Sequence, residues 1–320
     1  MNHQENLKKL YDVLREKEHI LLIGHQKPDG DALGSTSGFY NWLKREGKKA
    51  ALFCKDLPAE QYKYLNGFYA YTNDTSIFEK NFDVVIIFDS GDLIYAGIDE
   101  QIKKLSNSPI IINIDHHRTN KLYGNINIID IEATSTCEIV TDFFETNRIF
   151  IDPAMATSLI TGLLTDTSYF SNAATTSRSM EIAGKLVGYG ARINEITKYL
   201  LKNKQLSILK IWGLALSRLH KNEKLDLAVT FLTNDDFNQY SVTPTAVEGI
   251  SNFLQSATGN AEAILVLYDK GDGTIKASMR SIKRDISVIA KFFGGGGHKL
   301  AAGFSINGKI KETPTGFEIV

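Results

Sequence analysis

Residues Pro109–Asn120 read PIIINIDHHRTN. A proline opens the stretch. Five apolar or amide residues, Ile110 to Ile114, follow with the length and β-branched content of a strand, and Asp115, His116 and His117 come next. This spacing predicts a buried strand that delivers three titratable side chains at its C-terminal end. In open α/β sheets that is where ligands bind. Taken alone, the stretch also fits a sheet end with two ordinary surface histidines. Three other stretches end the same way.

Ile20–Gly24 (ILLIG) predicts a short buried strand running into HQKPDGDALGS, His25 to Ser35. A helical pattern continues to about Arg45, with Gly47 as its stop. His25, Asp29 and Asp31 therefore sit on a strand-to-helix loop. Asp83–Phe88 (DVVIIF) is the next strand, and Asp89 follows it at once. Asn125–Ile131 alternates like another strand. Ser135 to Asn147 is helical, with a capping box expected between Ser135 and Glu138. Asp152-Pro153 opens a helix that reaches Asp166, and Thr176–Tyr189 predicts one more, closed by Gly190. Strands alternating with helices imply a parallel sheet covered by helices on both faces.

From Asn194 to about Leu219 the pattern stays helical and joins two halves, with a boundary near Asn203. Beyond it, Leu225–Leu232 reads as a strand and Glu248–Gln255 as a helix. Ala263–Tyr268 and Thr274–Met279 form a hairpin around Asp269–Gly273. Asp285–Phe293 is helical and ends in Gly294-Gly-Gly-Gly297-His298, and a last strand lies near Phe304–Ile306. This half is a smaller α+β domain.

The bulk numbers fit two soluble domains. The chain has 320 residues, 43% hydrophobic and 23% charged. A net charge of −1 gives no global field for nucleic acid or membrane, so any polyanion must be held locally. Cys54 and Cys137 are the only cysteines, which fits a reducing compartment. The polar N-terminus carries Leu7, Leu10, Tyr11 and Leu14 on one helical face and is no signal peptide. No apolar run approaches spanning length. A cytoplasmic location without membrane contact is expected.

The strand ends collect His25, Asp29, Asp31, Asp89, Asp115, His116 and His117, with Asp166 at a helix end. Aspartate and histidine without thiolate suit hard divalent ions such as Mn²⁺, Mg²⁺ or Fe²⁺. Four gathered aspartates repel one another, and two divalent cations would balance them. A carboxylate shared by metals about 3.5–4 Å apart is the arrangement used for phosphoryl chemistry. Each residue also has a plain reading: Asp29 and Asp31 as loop and N-cap aspartates, Asp89 as a turn residue, Asp166 as a helix-end residue.

The set His25-x-x-Pro28-Asp29-x-Asp31-x-x-Gly34-Ser35, Asp89, Asp115-His116-His117 and Thr165-Asp166-Thr167 resembles, in order and spacing, the four motifs of the DHH phosphoesterase family. By that resemblance His25, Asp29 and Asp89 would bind one metal. Asp31, Asp89, His116 and Asp166 would bind a second, with Asp89 bridging and Mn²⁺ as the usual ion. His117 would contact the substrate phosphate or assist the leaving oxygen, and Asp115 would orient a histidine ring. The Ser278-Met-Arg280-Ser281 strand and the Gly-Gly-Gly-His run resemble the DHH-associated C-terminal domain. Carried over, Arg280, Ser281, Gly296, Gly297 and His298 would bind nucleotide phosphate. The tail from Gly308 departs from relatives that close with a helix, because Pro314 and Gly316 oppose one. The implied division is a catalytic domain over 1–192, a helical linker over 193–222 and a substrate-binding domain over 223–320.

The two-domain length resembles the nano-RNase and pAp-phosphatase branch. Its expected activity is hydrolysis of short oligoribonucleotides to 5′-mononucleotides and dephosphorylation of 3′-phosphoadenosine 5′-phosphate (pAp). Expected partners are short single-stranded RNA or nucleotides, and a homodimer is compatible with this reading. A cyclic di-AMP or linear pApA phosphodiesterase shares the architecture. A catalytically silent nucleotide- or RNA-binding module is the reading from another class.

Overall fold

The computed structural model describes residues 3–105, 107–172, 174–201, 205–247, 249–258, 261–314 and 316–320. The chain separates into two units, Met1–Asn203 and Lys204–Val320.

The first unit begins with α1 (His3–Arg15), whose Leu7, Leu10 and Leu14 are buried. Then come β1 (His19–Ile23), α2 (Gly30–Arg45), β2 (Lys49–Phe53), β3 (Tyr71–Thr72), β4 (Val84–Phe88), α3 (Leu93–Ala96), α4 (Asp99–Ile102), β5 (Ile110–Asp115) and β6 (Ile126–Ile129). Then follow α5 (Thr136–Thr146), α6 (Pro153–Asp166), α7 (Ser177–Gly188) and α8 (Ile193–Ile196), with a π-helical turn at Thr197–Leu201. Among the described residues the strands form a six-stranded sheet in the order β3-β2-β1-β4-β5-β6, paired in parallel throughout. Side chains alternate across it. Leu22, Ile86, Phe88 and Ile112 face one core, and Leu21, Ile23, Val85 and Ile87 the other. The sheet is buried on both faces, as expected.

β2 and β3 go beyond the sequence reading. KAALF is led by lysine and two alanines, poor strand formers, and β3 is only two residues long. Their position matters for function. With β2 on one side of β1 and β4 on the other, the chain turns in opposite directions past the C-terminal ends of β1 and β4, which opens a crevice there. The capping box expected at Ser135 closes differently. Ser135 accepts from the Glu138 amide, but Glu138 reaches back to the amide and hydroxyl of Thr134.

Helices α2 and α6 approach closely over glycines. A Cβ on Gly30 would lie 2.4 Å from the Thr165 side chain, one on Gly34 2.4 Å from Ser158 O, and one on Gly162 2.5 Å from Asp31 Oδ1. Gly30, Gly34 and Gly38 recur every four residues on one helical face. Their missing side chains let the first turn of α2 meet the last turn of α6, which sets Asp31 near Asp166.

The second unit contains α9 (Leu206–Ser217), β7 (His220–Asn222), β8 (Leu227–Leu232), α10 (Asn234–Gln239), α11 (Ile250–Ala257), β9 (Ala263–Asp269), β10 (Thr274–Ser281), α12 (Ser287–Phe292), β11 (Gly296–His298) and β12 (Ala301–Asn307). Glu248, where the helical pattern was read to start, lies outside the described residues. The sheet runs β11-β12-β10-β9-β8-β7. Within this sheet, among the described residues, only β8 and β9 pair in parallel. Ile211 and Ala215 of α9 are buried in this unit's core. The tail forms a hairpin of β13 (Ile310–Thr313) and β14 (Gly316–Ile319). Among the described residues no helix is long and apolar enough to cross a membrane.

Two glycines of similar helical setting should behave oppositely. Gly34→Ala forces a methyl group against Ser158 O and should destabilise the protein by about 1–3 kcal/mol. Gly184→Ala in α7 meets nothing within 4 Å and should stabilise it by about 0.5–1 kcal/mol. Urea denaturation midpoints check both, and a tolerated Gly34→Ala would contradict the close α2–α6 contact.

Candidate metal centre

Each side chain at the crevice is set by the element that ends there. After β1, His25 Nδ1 donates to Gln26 O at 2.7 Å. A carbonyl only accepts, so Nδ1 carries hydrogen and Nε2 points inward, 3.7 Å from Asp29 Oδ1 and 3.5 Å from Asp89 Oδ2. Asp29 is the N-cap of α2 and accepts from the Asp31 and Ala32 amides. Asp31, in the first turn, is fully buried, and its carboxylate accepts from the Thr136 amide at 2.6 Å and the Cys137 amide at 2.9 Å. Those are free amides at the start of α5.

Asp89 follows β4 with φ of 55°, an uncommon backbone for aspartate. It lies between the histidines. Oδ1 is 3.5 Å from His116 Nε2 and 3.6 Å from His117 Nδ1, and Oδ2 faces His25. After β5, His116 Nδ1 donates to Ala133 O at 3.3 Å, and Nε2 lies 3.4 Å from Asp166 and 4.0 Å from Asp31. His117 Nδ1 is 2.7 Å from Asp115 Oδ1. Three groups could thus hold a metal ion: His25, Asp29 and Asp89; Asp31, His116 and Asp166; and Asp89, His116 and His117. In each, the ligand atoms lie within 4.8 Å of one another.

The electrostatics describe a site short of positive charge. Burial, then Asp89, pushes the Asp31 carboxyl up to about 7. Burial, then Asp31, holds Asp166 well above the usual carboxylate range. Burial would discharge His25, but Asp29 and Asp89 outweigh it and push the ring up to about 12. Burial likewise opposes charge on His117, and Asp115 and Asp89 raise it to about 9. Oxygen and imidazole donors with inward Nε2 atoms fit hard divalent cations. The buried Cys137 thiol is pushed well above its usual range, first by burial and then by Asp31.

Several contributors carried no motif signal. Asn120 donates to Asp115 Oδ2 at 2.5 Å and to Asn113 Oδ1 at 2.7 Å, fixing the carboxylate that holds His117. The Thr136 hydroxyl donates to Asp89 at 3.2 Å. The Tyr95 ring lies 4.9 Å from His25. Asn120 stood in the opening stretch, and its amide three residues after a histidine pair was the available hint. Thr136 and Tyr95 had none.

In the second unit, Arg280 Nε donates to Asn252 Oδ1 at 2.6 Å and Nη1 to Met279 O at 2.8 Å. Burial lowers the Arg280 pKa. Ser281 is buried on the opposite side of the strand. Its hydroxyl donates to Glu262 O and accepts from the Lys283 and Arg284 amides, so it acts on Arg280's face only through the turn it holds. The glycine run, expected as a flexible anion loop, is divided. Gly294 and Gly295 cap α12, and Gly296–His298 is an edge strand. A Cβ on Gly297 would strike Ala301 O at 2.5 Å, whereas one on Gly296 meets nothing within 4 Å. The His298 side chain lies outside the described residues, and its backbone pairs with Ala301.

Comparison with known proteins follows the same division. The family model described as DHH family, N-terminal domain, matches residues 19–163, and the DHHA1 domain matches 224–313. The bifunctional oligoribonuclease and PAP phosphatase NrnA of Thermus thermophilus is 29% identical over 316 residues, covering 95% of this chain and 89% of that protein. The cyclic-di-AMP phosphodiesterase PdeA of Listeria monocytogenes is 23% identical over 318 residues, covering 90% of this chain and 45% of that protein. The crystal structure of an exopolyphosphatase-related protein from Bacteroides fragilis superposes with a TM-score of 0.86 at 24% identity, covering 94% of this chain and 91% of that one. This last likeness shows the fold.

The pH dependence of the metal-free protein has a definite sign. Asp31 and Asp166 hold protons more tightly folded than unfolded, so their stabilisation is lost as pH rises from about 3.9, through about 7 for Asp31. His25 and His117 stabilise fully below about 6.5 and lose that as pH rises through about 9 and about 12. All four act in one direction. The melting temperature of chelator-stripped protein should therefore fall from about pH 5 to about pH 8, and saturating divalent metal should reverse the loss. A level or rising curve for the stripped protein would count against the buried cluster.

Proposed function

The chain belongs to the DHH family, carrying that family's N-terminal domain and a DHHA1 domain, and from that premise we propose that it is a two-metal phosphoesterase that hydrolyses short oligoribonucleotides to 5′-mononucleotides and dephosphorylates pAp. The observation that carries the reading is the place of Asp89, within 3.5 Å of both His25 and His116 and so common to two donor groups. His25, Asp29 and Asp89 would hold one ion and Asp31, Asp89, His116 and Asp166 the other, most suitably Mn²⁺. When bound, the pair supplies a nucleophile from water near neutral pH and neutralises phosphate oxygens.

The chain's own groups do the rest. The Gln26 and Ala133 carbonyls fix the tautomers of His25 and His116. The α5 amides and the Thr136 hydroxyl orient Asp31 and Asp89. Asp115 holds His117, favouring its protonated form, and His117 then hands a proton to the leaving ribose oxygen. Arg280, Gly296, Gly297 and His298 would take a substrate phosphate, Arg280 through charge-assisted hydrogen bonds. Similarity along nearly the full length of the oligoribonuclease relative favours this substrate pair, because more than half of the cyclic-di-AMP phosphodiesterase lies outside the match.

Product analysis with added Mn²⁺ tests the proposal on two- to five-residue RNAs, a long RNA, pAp, cyclic di-AMP and pApA. Fast mononucleotide release from the short RNAs, hydrolysis of pAp and slow action on the long and cyclic substrates are expected. A marked preference for cyclic di-AMP over pApA would replace the reading, and no turnover would leave a binding module. Asp89→Asn should abolish hydrolysis, and Asn120→Ala should lower it by about 10–100-fold, as loss of an outer partner of a metal site does. Arg280→Ala should weaken use of nucleotides far more than of a small activated phosphodiester. Equal losses on both would assign Arg280 to the fold.

A further inference from the structure

Tyr95 stands at the rim of the crevice, on the short α3 that follows β4. Its backbone is pinned on both sides. The Tyr95 amide donates to Asp92 Oδ1 at 2.7 Å, and its carbonyl accepts from the Gln26 amide at 3.3 Å, which ties α3 to the loop that carries His25. Asp92 in turn pairs with Lys121 at 2.8 Å. The Tyr95 ring lies 4.9 Å from the buried His25 ring at an interplanar angle of 34°.

The rest of the residue is open. Tyr95 is 47% exposed, and among the described residues no second ring lies against it. Burial raises its phenol pKa, His25 opposes the rise, and Asp89, Asp29 and Asp166 add to it, so the hydroxyl lies within the field of the crevice carboxylates. A half-open aromatic ring, backed by a buried imidazole and held by a fixed backbone, is a platform on which a nucleobase stacks. Asp89 divides the crevice: Oδ1 faces His116 and His117, and Oδ2 faces His25. Tyr95 therefore stands on the His25 side, across Asp89 from His117. With His117 serving the leaving ribose oxygen, the nucleotide on the Tyr95 side is the one that keeps the phosphate.

We infer that the open face of Tyr95 stacks on the base of the nucleotide that is released with the scissile phosphate. The inference rests on the phosphoesterase reading of the site and on the role of His117 in it. It also separates the two proposed substrates. In a short RNA a nucleoside stands on each side of the scissile phosphorus. In pAp the 3′-phosphate that is removed carries no nucleoside on the retained side. Tyr95 thus serves oligonucleotides and has no base to hold in pAp.

Turnover of pApA and of pAp by the full-length, Mn²⁺-loaded protein tests this. Tyr95→Leu should lower kcat/KM for pApA by about 5–150-fold, the worth of one stacked base, and for pAp by far less. Tyr95→Phe and Tyr95→Trp keep a ring and should keep the use of pApA, which separates a lost platform from a lost fold. Fluorescence gives a readout apart from turnover. A non-hydrolysable dinucleotide with 2-aminopurine on the residue that keeps the phosphorus, and no base on the other, should be quenched by the Mg²⁺-loaded protein. Tyr95→Leu should remove that quenching. Equal losses on pApA and pAp, a loss in Tyr95→Phe as large as in Tyr95→Leu, or quenching that survives Tyr95→Leu would overturn the inference. Absence of turnover on every substrate, with quenching that depends on a ring at position 95, would overturn the proposed activity and leave the stacking position standing.

Discussion

Buried Asp31 and Asp89 meet half-buried Asp166 at one end of the sheet, and much of the first unit serves to hold them there. Asp31 is fully buried and Asp89 nearly so, and one imidazole, His116, lies within 4.0 Å of all three carboxylates. Like charges at such range in a low dielectric cannot all persist without cations or protons. The fold answers with fixed donors: two α5 amides on Asp31, and the Thr136 hydroxyl on Asp89. It also accepts backbone strain. Asp89 sits at φ of 55°, and Ser168, Tyr169 and Phe170 form three successive left-handed residues just after Asp166. Such conformations persist only where the surroundings over-determine them.

What the sequence made legible were groups that a short stretch places by itself. A β-branched run followed by charged residues marks a strand end, and β1, β4 and β5 each lead into the crevice as their patterns implied. What stayed illegible depends on contacts distant in the chain. Thr136 reaches Asp31 across 105 residues, and no local pattern in TSTCE announces it. Gly30 and Gly34 fall within the His25–Ser35 motif stretch and Gly162 within a helical pattern, yet their chief effect is the close approach of α2 to α6. β2 escaped because its strand state comes from pairing with β1, not from the intrinsic preference of KAALF.

The glycine run shows how one composition hides separate duties. At Gly295 and Gly297 a side chain would collide with β12 backbone, so glycine there serves the packing of an edge strand. At Gly296 a Cβ would meet nothing within 4 Å, so packing does not require glycine there. A sequence of four identical letters cannot separate these uses. The strand register does, because it states which glycine lies against β12 and which lies open beside Gly303.

Structural and chemical readings of the same residue are therefore not rivals in this protein. Asp29 caps α2 and also faces His25. The cap anchors the carboxylate to two backbone amides, so the ion it would share with His25 meets a ligand already fixed in place. Asp31 is likewise a first-turn aspartate, favoured by the dipole of its own helix and held by the amides of α5. The bonds that make each aspartate an ordinary helix-start residue also remove its freedom to turn away from its neighbours. Preorganisation of this kind keeps the repulsion within the folded state, where a bound metal ion would relieve it, and so would tie metal affinity to the stability of the sheet edge itself.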